Sequence, residues 1–183
     1  YLLIVSSWPA RAVLVAVVFF VVAYSLKGLR FKEKPLLDSI TSSLHFVGPL
    51  LYALSLQAFP AEAWPFVTAF FMWGMASHAF GAVQDIIPDR KGKLASIATV
   101  FGARATVWLS ALLYAGAAVI VALQGIAYLP VALAAVVYVI NVAPYLWVTD
   151  KTSASTNKAW KRFLWLNYMA GAIVTVVIIS TQL

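Results

Sequence analysis

Residues 64–93 read WPFVTAFFMWGMASHAFGAVQDIIPDRKGK. From Trp64 to Val83 no residue carries a formal charge, and within the next ten come Asp85, Asp89, Arg90, Lys91 and Lys93. A transmembrane helix needs about 20 apolar residues, so the first part predicts a membrane span. The charged part then lies where that span leaves the bilayer.

The rest of the chain extends this reading. Of 183 residues, 63% are hydrophobic and 10% charged, with a mean hydropathy of +0.92. An ordinary soluble domain is about 45–50% apolar and about 25% charged. The chain is therefore read as an integral membrane protein, all-α and polytopic, because its apolar runs are too long and too irregular for barrel strands. Six spans are expected: one ending near Tyr24 and interrupted by SWPAR, then about 39–59, 64–83, 105–123, 127–148 and 163–181. Pro9 and Arg11 suit a turn, which makes residues 1–6 the expected tail of an earlier helix. The polar segment TDKTSASTNK, from Thr149, is expected to be a mobile loop.

Charge sets the expected topology. Lys27, Arg30, Lys32 and Lys34 fall between the first two spans, Arg90, Lys91 and Lys93 after the third, and Lys151, Lys158, Lys161 and Arg162 before the sixth. The alternate connections, at Pro60 and Gln124, hold no basic residue. Positive-inside bias then places the basic loops in the cytoplasm and the chain in a cell membrane. It also explains the net charge of +7 without nucleic acid. No cysteine is present, which excludes disulfides, thiolate metal sites and thiol catalysis.

Asp85 and Asp89, four apart, would share a helix face. Pro88 disfavours helical dihedrals just before it, so the span is expected to end near Ile87. Two carboxylates at a helix C-terminus repel its dipole and each other unless a cation intervenes. Magnesium suits the site, being commonly held by one or two carboxylates together with substrate phosphates. Arg90, Lys91 and Lys93 would then face the phosphates. A solvated loop with a turn proline is the competing reading.

Other polar residues gather at a similar depth. His45 follows Asp38 by seven residues and His78 precedes Asp85 by seven, each about 10 Å deeper at about 1.5 Å per residue. Asn141 and Asn167 lie inside the fifth and sixth spans on the same side. A ring of ionisable and polar groups below one leaflet suits a cavity floor. Asp38 before Ser39 equally suits a helix N-cap, and each histidine or asparagine an interhelical hydrogen bond.

The stretches DIIPDRKGK and YSLKGLRFKEKPLLDS resemble the UbiA superfamily of intramembrane prenyltransferases, and HAFGAVQDIIPDRKGKLASIATVFGA is most similar to its carotenoid branch, the lycopene elongases. The resemblance implies nine helices around a cavity, of which the six spans here would be the last six. Residues 1–183 would form one transmembrane domain whose N-terminal helices, with the first aspartate motif, precede Tyr1 or are supplied elsewhere. It implies magnesium at Asp85 and Asp89, a catalytic Tyr24, and Arg30 and Lys32 beside a prenyl diphosphate, dimethylallyl diphosphate being favoured. Asp38, His45, His78, Arg90, Lys91, Lys93, Asn141 and Asn167 join the expected substrate-binding set. The acceptor would be lipophilic, such as lycopene. An aromatic quinone precursor, a non-catalytic membrane subunit and a transporter are the alternatives.

Overall fold

The computed structural model describes residues 1–182 and contains, among them, helices and turns without strands. The helices are α1 (Leu2–Val5), α2 (Trp8–Ser25), α3 (Leu37–Ser55), α4 (Trp64–Val83), α5 (Ile86–Lys91), α6 (Ile97–Phe101), α7 (Ala103–Ala122), α8 (Leu129–Val142) and α9 (Asn157–Gln182). Proline occupies the first turn of α2, α4 and α8, where its missing N–H deprives no intrahelical bond. Pro9 therefore opens a helix. Arg11 links that helix to α1, donating from Nε to the Ser6 carbonyl at 2.8 Å and from Nη2 to the Ile4 carbonyl at 2.9 Å.

Each long helix packs antiparallel on the next. Pairs fixing this order are Ser6 with Tyr52 and Tyr24 with His45 for α2 and α3, and Ser43 with Phe71 for α3 and α4. Ser77 with Tyr114 joins α4 to α7, Tyr114 with Tyr138 joins α7 to α8, and Tyr138 with Asn167 joins α8 to α9. Lipid offers no hydrophobic drive between helices, so small residues and interhelical hydrogen bonds carry the association. Gly74 shows how tightly α4 meets α3: a Cβ there would come within 2.4 Å of Ser43 Oγ and 3.1 Å of its Cα.

Five segments are long and apolar enough to cross a membrane: Trp8–Ser25, Ala61–Val83, Ala103–Ala122, Ile126–Tyr145 and Asp150–Thr181. The remaining expected span, α3, is helical but more polar, because Asp38, Ser39, Thr41 and Ser43 are fully buried against its neighbours. The main apolar core joins Phe80, Val83, Ile86, Ala98, Ala103, Val107, Tyr114, Tyr138 and Val142. It thereby fastens the short α5 and α6 onto the ends of α4, α7 and α8.

Two expectations change. The expected break at Ile87 falls earlier: α4 ends at Val83, Asp85 sits at the junction with φ −98° and ψ 3°, and Pro88 lies in the first turn of a new helix, α5. The polar 149–158 segment is not an irregular loop but a 3₁₀ stretch, Asp150–Thr156, running into α9. Thr149 and Thr152 cap it reciprocally, and Ser153 and Thr156 are buried beneath it.

Candidate functional site

The α4–α5 junction presents Asp85 and Asp89 on one side of a single turn, since the Asp89 N–H donates to the Asp85 carbonyl at 2.9 Å. Asp85 is exposed and Asp89 half-buried. Neither carboxylate accepts a hydrogen bond or joins an ion pair among the described residues. Surrounding protein removes enough water to push the Asp85 carboxyl above its ordinary value. Burial, with the Asp85 charge added, does the same for Asp89.

Asp85 directly follows the C-cap of α4 and precedes the first residue of α5, and Asp89 lies in the first turn of α5, so the start of that helix offsets part of the expected clash with the α4 dipole. Their mutual repulsion remains. No group of three or more His, Asp or Glu side chains gathers as a closed metal cage among the described residues. Two unpartnered oxygen-donor side chains suit a hard divalent cation that shares its remaining positions with substrate phosphate and water.

The basic residues divide. Arg90 turns away from Asp85: Nη1 donates to Asp150 Oδ2 at 2.7 Å, while Nε and Nη2 donate to the Thr99 carbonyl at 3.2 and 2.8 Å. Its guanidinium is thus engaged with α6 and the 3₁₀ stretch, not placed in the expected phosphate-facing set. Lys91 and Lys93 are exposed. Lys93 takes φ 57° because α5 closes with the Leu94 N–H on the Asp89 carbonyl and the Lys93 N–H on the Arg90 carbonyl. Across the bundle, Arg30 pairs with Glu33, and Lys32 is exposed in the short 3₁₀ helix between α2 and α3.

Below this rim lies a polar floor. Asp38 is completely buried; its Oδ1 accepts from the Ser39 N–H at 2.7 Å, and its Oδ2 from the Ile97 N–H, also at 2.7 Å. Ile97 begins α6, so Asp38 caps a helix other than its own. His78 Nε2 lies 3.8 Å from Asp38 Oδ2. The Tyr24 ring meets His45 edge-on at 5.0 Å between centroids and His78 at 6.5 Å. Tyr24, Asp38, His45 and His78 therefore form one cluster contributed by α2, α3 and α4.

The two asparagines lie elsewhere. Asn141 donates to the Ala159 carbonyl at 3.2 Å and accepts from Arg162 Nε at 2.9 Å. Asn167 accepts from the Tyr138 hydroxyl at 2.7 Å. Both side chains bond α8 to α9, as interhelical partners rather than as part of the Tyr24 cluster.

Three features escaped the sequence. Asp150 accepts from the Ala103 N–H at 2.7 Å besides Arg90, a pairing across 47 residues that only the fold creates. Asn157 donates to Gln84, beside Asp85, at 2.5 Å. An aromatic group forms where Trp73, Tyr138 and Trp160 all pack on Phe163, at centroid distances of 5.9, 5.6 and 4.9 Å. Aromatics make up 14% of the chain, so composition alone does not separate this wall from lipid-facing rings.

The model of the UbiA prenyltransferase family matches residues 1–167. The chain is 43% identical over 182 residues to a lycopene elongase/hydratase of Corynebacterium glutamicum, covering 98% of this chain and 63% of that protein. It is 44% identical over 188 residues to the C(50) beta-cyclic carotenoids biosynthesis protein LbtBC of a Dietzia species, covering 43% of that protein. A lycopene elongase/hydratase of Haloferax volcanii is 37% identical over 119 residues, 62% of this chain. The chain thus spans less than two thirds of the length of these relatives. No solved structure matches.

Proposed function

The chain belongs to the UbiA prenyltransferase family, and from that membership we propose that it moves an allylic prenyl group from its diphosphate to a lipophilic acceptor within the membrane. The acceptor we favour is a carotenoid such as lycopene, supported by relatives named as lycopene elongase/hydratases. The observation that carries the reading is the pair Asp85 and Asp89, one helical turn apart and without a protein partner. Residues 1–183 act as part of one transmembrane prenyltransferase domain, with its basic loops on the cytoplasmic side.

Asp85 and Asp89 would hold magnesium, which when bound neutralises charge on the departing diphosphate. Lys91 and Lys93, with Arg30 and Lys32 from the α2–α3 connection, attract the same diphosphate, for which dimethylallyl diphosphate is the favoured carrier. As the carbon–oxygen bond breaks, its electron pair leaves with the diphosphate and an allylic cation remains. Tyr24, at the inner end of α2, faces the cluster beneath the rim and screens that cation. Deeper in the bundle the rings of Trp73, Tyr138 and Phe163 pack on one another and on Phe70, Tyr114 and Trp160, closing the apolar interior. Apolar helices keep bulk water from quenching the cation before the acceptor arrives from lipid.

The test is incubation of the membrane-embedded full chain with dimethylallyl diphosphate, lycopene and magnesium, followed by chromatography with mass detection. Carotenoid extended by one or two five-carbon units is expected, and chelation with EDTA should abolish it. Prenylation of a hydroxybenzoate or naphthoate without carotenoid extension would move the acceptor to the quinone class. No diphosphate release with any acceptor would remove the enzyme reading.

A further inference from the structure

The cluster below the metal rim contains two imidazoles in different settings. His45 Nδ1 stands 2.6 Å from the Thr41 carbonyl oxygen, one turn earlier in α3. A carbonyl can only accept, so Nδ1 carries a proton, and in the neutral ring Nε2 is the nitrogen that holds the lone pair. No protein group among the described residues hydrogen-bonds that Nε2, and the residue is half-buried against the Tyr24 ring. His78 differs: its Nε2 faces Asp38 Oδ2 at 3.8 Å, an acceptor already pinned by the Ile97 N–H. One imidazole therefore presents an unpartnered nitrogen beside the Tyr24 ring, while the other has a nitrogen directed at a buried carboxylate.

Depth supports the distinction. His78 precedes Asp85 by seven residues, about 10 Å at about 1.5 Å per residue, and His45 shares the Tyr24 ring with it. His45 thus stands a layer below the carboxylates, away from the departing diphosphate.

Resting on the prenyltransferase reading above, we propose that His45 Nε2 is the base that takes the proton released when the extended acceptor is discharged. The acceptor double bond donates its π pair to the allylic cation, forming a carbon–carbon bond and leaving a tertiary carbocation on the acceptor. Loss of a proton from an adjacent carbon to Nε2 returns the C–H electron pair as a new alkene, and the imidazole becomes imidazolium. Where water adds instead, its oxygen pair forms a C–O bond and the proton of the resulting oxonium passes to the same nitrogen. The Thr41 carbonyl serves both outcomes by holding the tautomer.

The deciding experiment compares wild-type and His45→Gln protein, each as the membrane-embedded full chain with magnesium, dimethylallyl diphosphate and lycopene. Diphosphate release and carotenoid products are counted together. In His45→Gln, extended carotenoid per diphosphate released should fall about 10²-fold, in the range of general-base contributions, because the undischarged acceptor cation reopens its new carbon–carbon bond and water then traps the allylic cation as prenyl alcohol. Loss of the alkene product assigns the proton to carbon, loss of the hydroxylated product assigns it to water, and loss of both assigns both. Unchanged coupling would overturn the proposal. A wild-type protein that releases no diphosphate would instead remove the prenyltransferase reading on which it rests. A second measurement does not depend on that variant folding: in His78→Gln protein, His45 is the remaining histidine of this chain, and its ¹⁵N spectrum should show a protonated Nδ1 and a bare Nε2. A protonated Nε2 would overturn the assignment.

Discussion

Asp38 and Asp150 differ from Asp85 and Asp89 in what their oxygens touch. Asp38 accepts from the first N–H of α6, and Asp150 from the first N–H of α7, both at 2.7 Å. Each closes a connection between distant parts of the chain and satisfies a helix-end donor that would otherwise lack a partner. Asp85 and Asp89 accept nothing among the described residues. A carboxylate bonded to backbone contributes to the fold, whereas an unbonded pair with raised pKa values, one helical turn apart, leaves its oxygens open to the ligand proposed above. The same contrast separates Arg90, engaged by Asp150 and Thr99, from Lys91 and Lys93.

The sharpest way to break this comparison is substitution of the unbonded pair. Asp85→Asn or Asp89→Asn should lower prenyl transfer by about 10³-fold or more, since charge stabilisation by a bound metal is worth several kcal/mol. Melting temperature should hardly move. Wild-type turnover in either variant, at saturating magnesium, would dissolve the distinction.

Asp38→Ala should behave in the opposite way. It orphans the buried Ile97 N–H, at a cost of about 1–3 kcal/mol, so denaturant or thermal unfolding should shift while turnover per folded molecule changes far less. A loss of turnover with unchanged stability would move Asp38 into the ligand group. For Asp150→Ala the expected loss is smaller, because Asp150 and its Arg90 partner are partly exposed.

Acidity sharpens the comparison further. Burial disfavours the charged forms of Asp85 and Asp89, so protons compete with a cation from a higher pH than for an ordinary aspartate, whose carboxyl titrates at about 3.9. Activity should therefore fall as pH drops through these raised values. Stability should move the other way: a carboxyl whose folded pKa exceeds its unfolded one holds more protons when folded, so its contribution is present at low pH and is lost as pH rises through the folded value. Because the Asp85 charge raises Asp89, Asp85→Asn should return the Asp89 titration, followed by magnesium binding against pH, towards its ordinary position. An unaltered Asp89 titration would show the two carboxyls to be uncoupled.

The smallest effect belongs to Lys93, whose φ of 57° occupies a helix-ending position favoured for glycine. Lys93→Gly should raise stability by about 0.5–1 kcal/mol, while weakening diphosphate binding modestly if its ammonium belongs to the phosphate set. Lower stability would mean that the lysine side chain anchors α5.

Much of this was legible without coordinates. Uncharged runs of about 20 residues, interrupted by prolines and basic segments, determine a helical membrane protein, because bilayer thickness and backbone hydrogen bonding leave few other solutions. The α4 span was legible in its start at Trp64 and its apolar length, though not in its end, which falls at Val83 before the break expected near Ile87, and the i, i+4 spacing placed Asp85 and Asp89 together. Tertiary structure alone decided that Pro88 opens α5 instead of stopping α4, that Asp150 reaches Ala103 and Arg90, and that Tyr24, His45 and His78 meet while Asn141 and Asn167 stay with α8 and α9. The physical reason is range: helix length and capping are set by neighbours a few residues away, whereas which carboxylate finds a donor depends on groups separated by 47, 59 or 60 residues.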